Sequence, residues 1–184
     1  VNAISPYWQT STSFTVTASA SDALSLARVA LWYRYSSDNS SWGSWTWFDN
    51  DNTSPWSWTF TSPNGNGYYQ FYSRARDNAG NEEATPGTAD AICGVDNTLP
   101  TSSVNAISPY WQTSTSFTAT ATASDTLSGV NRVALWYRFS SDNSSWGAWT
   151  WFDNDTASPW SWTFTSPNGN GYYQLYSRAR DNAG

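Results

Sequence analysis

The sequence predicts an all-β chain that forms two tandem Greek-key β-sandwiches joined by a short linker. Residues 1–80 recur at 104–184 with the same residue at 70 of 80 aligned positions, so the chain is a duplicated unit of about a hundred residues. Each copy holds short stretches in which apolar and polar residues alternate, which is typical of strands with one buried face. No stretch has a helical period. We therefore expect one domain over residues 1–98 and a second over residues 99–184.

Five strands are predicted in the first part of each copy. The strand at 13–21 places Phe14 and Val16 on one face and threonine hydroxyls on the other, which predicts an apolar and a polar side. Ser5-Pro6 indicates a kink or a sheet edge within the first strand, where the amide that proline lacks is not needed. The predicted strands of the first copy cover residues 1–8, 13–21, 28–35, 45–48 and 56–61, and turns rich in Ser, Asp, Asn and Gly separate them.

The sixth strand, from Gly67 to its exit turn at Asp77-Asn78-Ala79-Gly80, organises the copy. Its period of two assigns Tyr69 and Phe71 to the core, with Tyr173 and Leu175 as their counterparts in copy two. Tyr69 and Tyr173 each follow a glycine-rich turn, so we expect both to be buried in the role of a tyrosine corner. A closing strand is predicted within Thr85–Val95. Seven short strands at this spacing indicate an immunoglobulin-like sandwich.

The organising strand resembles the penultimate strand of immunoglobulin-like repeats that occur in tandem on bacterial and archaeal surface proteins. The shared pattern runs from Tyr69 and Phe71 through Ala75 and Asp77 to Ala79-Gly80-Asn81, and the linker Asp96-Asn97-Thr98-Leu99-Pro100-Thr101 stands where that family places its own. The resemblance covers the whole chain. It implies an extracellular location at a cell surface, in a stalk of an adhesin, a surface layer or a filament.

Composition argues against several classes of function. The chain has no His, no Met and no Lys, and Glu82 and Glu83 are its only glutamates, so the usual groups for proton transfer and nucleophilic attack are missing. We expect that it is not an enzyme. A net charge of −6 argues against nucleic acid as a partner. No apolar run is long enough to span a membrane, so we expect no membrane contact from this segment. Cys93, the single cysteine, is predicted to be a small buried residue, with an intermolecular bridge as the alternative.

The outer face of the sheet is the first candidate site. Alternation places aromatic and arginine side chains of neighbouring strands together there, where guanidinium groups and rings can stack through cation–π contacts. With Trp42-Gly-Ser-Trp45, the arrangement resembles the tryptophan and arginine ladder of cytokine-receptor fibronectin type III domains. Three interpretations remain open: a ladder that stiffens the sheet, a platform for sugars, and a contact surface for neighbouring molecules. The predicted exposed ladder comprises Trp32, Arg34, Tyr72, Arg74, Trp136, Arg138, Tyr176 and Arg178.

Carboxylates suggest a second candidate site. Asp77, Glu82 and Asp96 are predicted calcium ligands at the repeat junction, because calcium takes several oxygen ligands and related surface arrays bind it at such joints. The alternative is that Asp77 only caps its turn. No cofactor is otherwise required.

Sugar attachment is the third possibility. Four acceptor sequons lie in predicted surface turns, at Asn39, Asn52, Asn143 and Asn154. They are compatible with a glycoprotein.

These features together predict a structural extracellular repeat module in a linear array of sandwiches, whose partners are further copies of the repeat. One alternative is a carbohydrate-binding module that uses exposed Trp and Tyr. A second alternative follows from copy two, which contains no counterpart of Thr85–Val95 and is therefore expected to lack its last strand. Either that strand follows in a longer array, or a neighbouring molecule donates it and the chain is a filament subunit.

Overall fold

The computed structural model describes all 184 residues as β-strands and connections, without a helix. The chain divides into two units, Val1–Asn97 and Thr98–Asn182, which we call repeat 1 and repeat 2. No helix long and apolar enough to cross a membrane occurs in it.

Repeat 1 has seven strands in two sheets. A five-stranded sheet has the order β1-β7-β6-β3-β4, and β2 pairs with β5 in a separate two-stranded sheet. All pairs are antiparallel except β1 with β7. The strands are β1 (Trp8–Gln9), β2 (Ser13–Thr17), β3 (Leu26–Ser36), β4 (Thr46–Asp51), β5 (Ser57–Thr61), β6 (Gly67–Asp77) and β7 (Ala91–Val95).

Repeat 2 has six strands in two three-stranded sheets, with the orders β11-β10-β13 and β12-β9-β8. Strand β13 corresponds to β6 by sequence but pairs only with β10, so its other edge has no strand partner. The strands are β8 (Thr101–Val104), β9 (Ser116–Ser124), β10 (Val130–Ser140), β11 (Thr150–Asp155), β12 (Ser161–Thr165) and β13 (Tyr172–Asp181).

The all-β fold class is confirmed, while the first strand is shorter than predicted. Only Trp8–Gln9 of the predicted strand 1–8 is a strand, and it pairs with β7. Upstream of Pro6, the Asn2 amide instead donates to the Thr17 carbonyl at 2.8 Å. Because Pro6 has no amide to donate, one continuous ladder through this segment is not available.

The core of repeat 1 is centred on Phe60, which is fully buried and comes from the smaller sheet. Its ring lies 4.9 Å from Phe71, 5.5 Å from Tyr69 and 4.9 Å from Phe48, all from the larger sheet. The contacts of Phe60 with Phe71 and Tyr69 are edge-on, a geometry that stabilises ring pairs beyond the area that they bury. These ring contacts join the two sheets of the sandwich.

Tyr69 and Tyr173 occupy equivalent corners but differ in burial. The Tyr69 hydroxyl donates to the Gly65 carbonyl at 2.9 Å and accepts from the Asn64 amide at 3.2 Å. Tyr173 repeats both bonds with Gly169 and Asn168, at 3.0 and 2.9 Å. Tyr69 has no exposed surface.

Tyr173 and Leu175, predicted as core residues, pack against the core of repeat 2 but are less buried than their counterparts in repeat 1. Both are only half-buried at the margin of the second core, whereas Tyr69 and Phe71 are completely buried. The reason is physical, because strand β7 covers Tyr69 and Phe71 in repeat 1 and no strand takes that place beside β13.

Replacing Tyr69 by Phe removes the corner hydrogen bonds and keeps the ring in the core. We expect a loss of about 1–3 kcal/mol in the free energy of unfolding, because two hydrogen bonds of about 0.5–1.5 kcal/mol each are removed. Urea denaturation followed by tryptophan fluorescence measures this. An unchanged denaturation midpoint would contradict the role of the corner.

Alkaline pH is expected to destabilise repeat 1 through Cys93 and Tyr69. Burial raises the pKa of the Cys93 thiol from 9.0 to about 12, and burial likewise raises the pKa of Tyr69 from 10.0 to about 12. Both neutral forms are favoured in the folded state, so the stabilisation is complete below the unfolded pKa values and is lost as the pH rises towards 12. For the buried Cys93 thiol the decline is expected to approach about 1.4 kcal/mol per pH unit within its range.

The matched variant for this prediction is Cys93→Ala. It should remove the decline that begins near pH 9 and leave the part that begins near pH 10, where Tyr69 ionises in the unfolded chain. Identical pH profiles of the two proteins would show that the thiol is not responsible.

Candidate functional site: the tryptophan and arginine face

The strand register brings the predicted ladder residues of repeat 1 together. Trp32 of β3 lies opposite Tyr72 of β6, and Arg34 lies opposite Gln70. Ala30, two residues earlier on the same face, lies opposite Arg74. Since alternate residues of a strand share a face, these side chains form one row on the outer side of the sheet.

Three rings form the centre of the row. Trp32 and Tyr72 are stacked with an interplanar angle of 15° and centroids 5.9 Å apart. Trp45, from the connection before β4, meets Tyr72 edge-on at 4.4 Å. Tyr72 was expected to be exposed, but it retains only 3% of its accessible surface because these two indoles cover it.

Arg34 continues the row beyond Trp45. Its guanidinium carbon lies 4.6 Å from the Trp45 ring centroid and 5.3 Å from that of Trp42. Its Nε also donates to Gln70 Oε1 at 2.8 Å. The cation is therefore placed against two indoles and fixed by a side chain of the neighbouring strand, a role of Gln70 that the period-two pattern alone did not indicate.

A tight turn places Trp42 and Trp45 over the sheet. Asp38 Oδ1 accepts hydrogen bonds from the amides of Ser40 and Ser41 at 2.8 and 2.7 Å. The hydrogen bond from the Ser41 amide has the largest effect, followed by that from Ser40, and together they hold the pKa of Asp38 well below its usual range. The turn also requires a left-handed residue at Asn39, whose φ is 58°. Asn tolerates this conformation better than most residues.

Repeat 2 reproduces the same geometry. Trp136 and Tyr176 are stacked at 5.9 Å with an angle of 5°, and Trp149 meets Tyr176 at 4.6 Å. Arg138 lies 4.7 Å from Trp149 and 5.1 Å from the Trp146 ring, and it donates to Gln174 at 2.7 Å. The row is thus a property of the repeat.

The second predicted arginine behaves differently in the two repeats. Arg74 donates to the Glu83 carbonyl at 2.9 Å and pairs with Glu82 at 3.3 Å, and Arg28 pairs with the same carboxylate at 3.3 Å. Neither lies over a ring of the row. Arg178, the counterpart of Arg74 in repeat 2, is exposed.

The most exposed indoles of this face are Trp47 and Trp151. They are 48% and 49% exposed, and they lie opposite Trp32 and Trp136 on the neighbouring strands. Neither residue belongs to the predicted ladder. The alternation of Trp45, Trp47 and Asp49 in the short fourth strand is the sequence signal that indicates the outer side for Trp47.

The three predicted calcium ligands do not converge. Asp77 accepts hydrogen bonds from the Asn81 amide and side chain at 2.8 and 2.7 Å, while Glu82 pairs with two arginines. Asp96 is buried at the end of repeat 1. Their carboxylate oxygens do not form a group within 4.8 Å of one another. Calcium at the repeat junction stays a prediction.

The four sequon asparagines are exposed. Asn39 and Asn143 sit at the tips of equivalent turns in the left-handed conformation, with φ values of 58° and 60°. Asn52 lies in a connection, and Asn154 lies in β11, so these two are not equivalent positions. Their occupancy stays a prediction.

No protein-family model matches the chain, and no curated protein matches it. Among solved structures it is similar to the fibronectin(III)-like modules of Clostridium thermocellum CbhA, with a TM-score of 0.48 and 18% identity over 97% of this chain and 84% of that one. It is also similar to a tetra-tandem repeat in the extending region of a large adhesion protein, with a TM-score of 0.28 and 14% identity. That match covers 85% of this chain and 42% of the other. Both likenesses are too distant to say what this chain binds.

Removing the cation from the row tests its contribution to the sheet. We expect Arg34→Ala to lower the free energy of unfolding by about 1–2 kcal/mol, because two ring contacts and the bond to Gln70 are lost together. Arg76→Ala is the matched control, since Arg76 is exposed and lies outside the row; its effect should stay within about 0.5 kcal/mol. Equal effects of the two substitutions in urea denaturation would show that the row does not stabilise the sheet.

Proposed function

We propose that this chain is a structural, non-enzymatic repeat module of an extracellular surface protein, in a stalk, a surface layer or a filament. Its work is mechanical: each sandwich folds around its own rings, and successive copies of the repeat extend a linear array. Further copies of the repeat are its partners.

The observation that carries this proposal is that the row of rings and cations binds itself. Arg34 is engaged by Trp42, Trp45 and Gln70, and Tyr72 is buried between two indoles. The second repeat has the same contacts around Arg138. The rings and guanidinium groups that could recognise a ligand instead contact one another on the outer surface of the sheet. This favours a role in stiffening the sheet over a role as a binding platform.

A carbohydrate-binding module is the second candidate. It is favoured by Trp47 and Trp151, whose indoles are about half exposed on the same face as the row. A flat exposed ring offers the kind of surface on which sugar rings stack. The two functions differ in what a glycan does to tryptophan fluorescence.

Two measurements test the proposal. Antibodies against the repeat should label intact producing cells, and signal that appears only after permeabilisation would overturn the extracellular role. Antibodies are needed because the chain has no lysine for amine-reactive surface labels.

In a titration against a glycan panel, we expect no saturable change in the tryptophan emission of the wild type. A saturable change that is lost in the double variant Trp47→Ala, Trp151→Ala would instead establish the carbohydrate-binding function. The control variant is Trp42→Ala, which removes an indole of the row and leaves Trp47 and Trp151 in place.

A further inference from the structure

We infer that the connection between β6 and β7 of repeat 1, residues 78–90, is an edge strap. It occupies the part of the outer edge of β6 that β7 does not reach, and it keeps a strand of a second copy of the chain from pairing there. The inference deepens the proposed function and rests on it, because sideways pairing has to be blocked where many copies of one repeat lie close together.

Strand β7 pairs with only the first part of β6. The ladder between them ends at Phe71, opposite Ala91, whereas β6 continues to Asp77. Alternate residues of a strand direct their backbone groups to the same side, so Ser73, Ala75 and Asp77 continue the outer edge. Backbone groups of an uncovered edge are a template on which another chain can pair.

Two carboxylates of the strap take the place of strand carbonyls at this edge. Glu83 Oε2 accepts a hydrogen bond from the Ala75 amide at 3.0 Å, and Asp90 Oδ2 accepts one from the Ser73 amide at 3.1 Å. Hydrogen bonds to an ionised acceptor are stronger than those between neutral groups. Since a carboxylate has no N–H to donate, it satisfies the edge amide without offering a new donor to a further strand.

The backbone of the strap satisfies other groups of the same edge. The Glu83 amide donates to the Ala75 carbonyl at 2.9 Å, and the Asp77 amide donates to the Asn81 carbonyl at 3.0 Å. Pro86, in the middle of the strap, has no amide to offer to another chain. The strap therefore closes the edge of β6 without becoming an edge strand itself.

Two arginines hold the strap against the outer face of the sheet. The Glu82 carboxylate pairs with Arg28 of β3 and with Arg74 of β6, both at 3.3 Å. Arg74 Nε also donates to the Glu83 carbonyl at 2.9 Å. One exposed ion pair contributes little by itself, so closure depends on the ion pairs and the edge bonds together. The only two glutamates of the chain thus have separate parts: Glu82 anchors the strap and Glu83 fills the edge.

The test compares two double variants of the full chain that have the same net charge. Glu82→Ala with Glu83→Ala removes the anchor and the acceptor, whereas Glu82→Gln with Glu83→Gln keeps an amide oxygen at both positions. Amide hydrogen exchange at Ala75 should be at least about tenfold faster in the alanine variant than in the wild type, and within about threefold of the wild type in the glutamine variant. The Ser73 amide, bonded to Asp90, is the internal reference and should change less than that of Ala75.

Sedimentation velocity over a range of protein concentrations measures pairing between copies. With the strap detached, an edge strand of a second copy can bond to residues 73–77. We therefore expect the alanine variant to self-associate at least about tenfold more tightly than the wild type, and the glutamine variant to match the wild type. Circular dichroism checks that both variants keep the β-sheet fold.

Unchanged exchange at Ala75 in the alanine variant would overturn the inference, because Glu83 would then not hold the edge. Faster exchange without tighter self-association would overturn the blocking role. Equal behaviour of the two variants would overturn the part assigned to the acceptor oxygens, since the variants differ in these oxygens and not in charge. None of these results changes the outcome of cell labelling or glycan titration, so failure of the edge strap is distinguishable from failure of the proposed function.

Discussion

The core, the stacked row and the pairing of the larger sheet all depend on strand β6 and its sequence copy β13, because the same strand takes part in all three. Tyr69 and Phe71 on its inner side meet Phe60 of the opposite sheet, and Tyr72 on its outer side is the centre of the stacked row. Its edges must also be paired, since buried amides and carbonyls without partners are costly. A strand of this kind is complete only when a neighbour lies on each side.

The two repeats differ in the pairing of this strand and in the burial of its inner side chains. In repeat 1, β7 closes the outer edge of β6 and completes the burial of Tyr69 and Phe71. In repeat 2 the corner hydrogen bonds of Tyr173 and the row around Arg138 are retained, yet Tyr173 and Leu175 remain half-buried. The corner and the row are therefore local to the strands that carry them, whereas the full core depends on the seventh strand.

The inner and outer faces of the strands could be predicted from the sequence, because side-chain alternation is a local pattern. Period-two alternation placed Tyr69 and Phe71 inward and Trp32 and Arg34 outward, and the structure has them on those sides. Burial of Tyr72 could not be predicted from alternation, since it depends on Trp45, which arrives from a connection whose path is set by the Asp38 turn. Close packing of Gly94 under Trp8 likewise joins residues far apart in sequence. Side-chain alternation carries no information about such pairings.

The central claim is that β7 closes the outer edge of β6 in repeat 1, and residue-resolved amide hydrogen exchange tests it most directly. Outer-edge amides in residues 67–71 should be protected to the level of the core, because β7 covers them. In the variant Gly94→Val the same amides should exchange at least about tenfold faster, because a Cβ at residue 94 would lie 2.2 Å from Trp8 Cζ3 and displace β7. Equal protection of these amides in the wild type and in Gly94→Val would contradict the account.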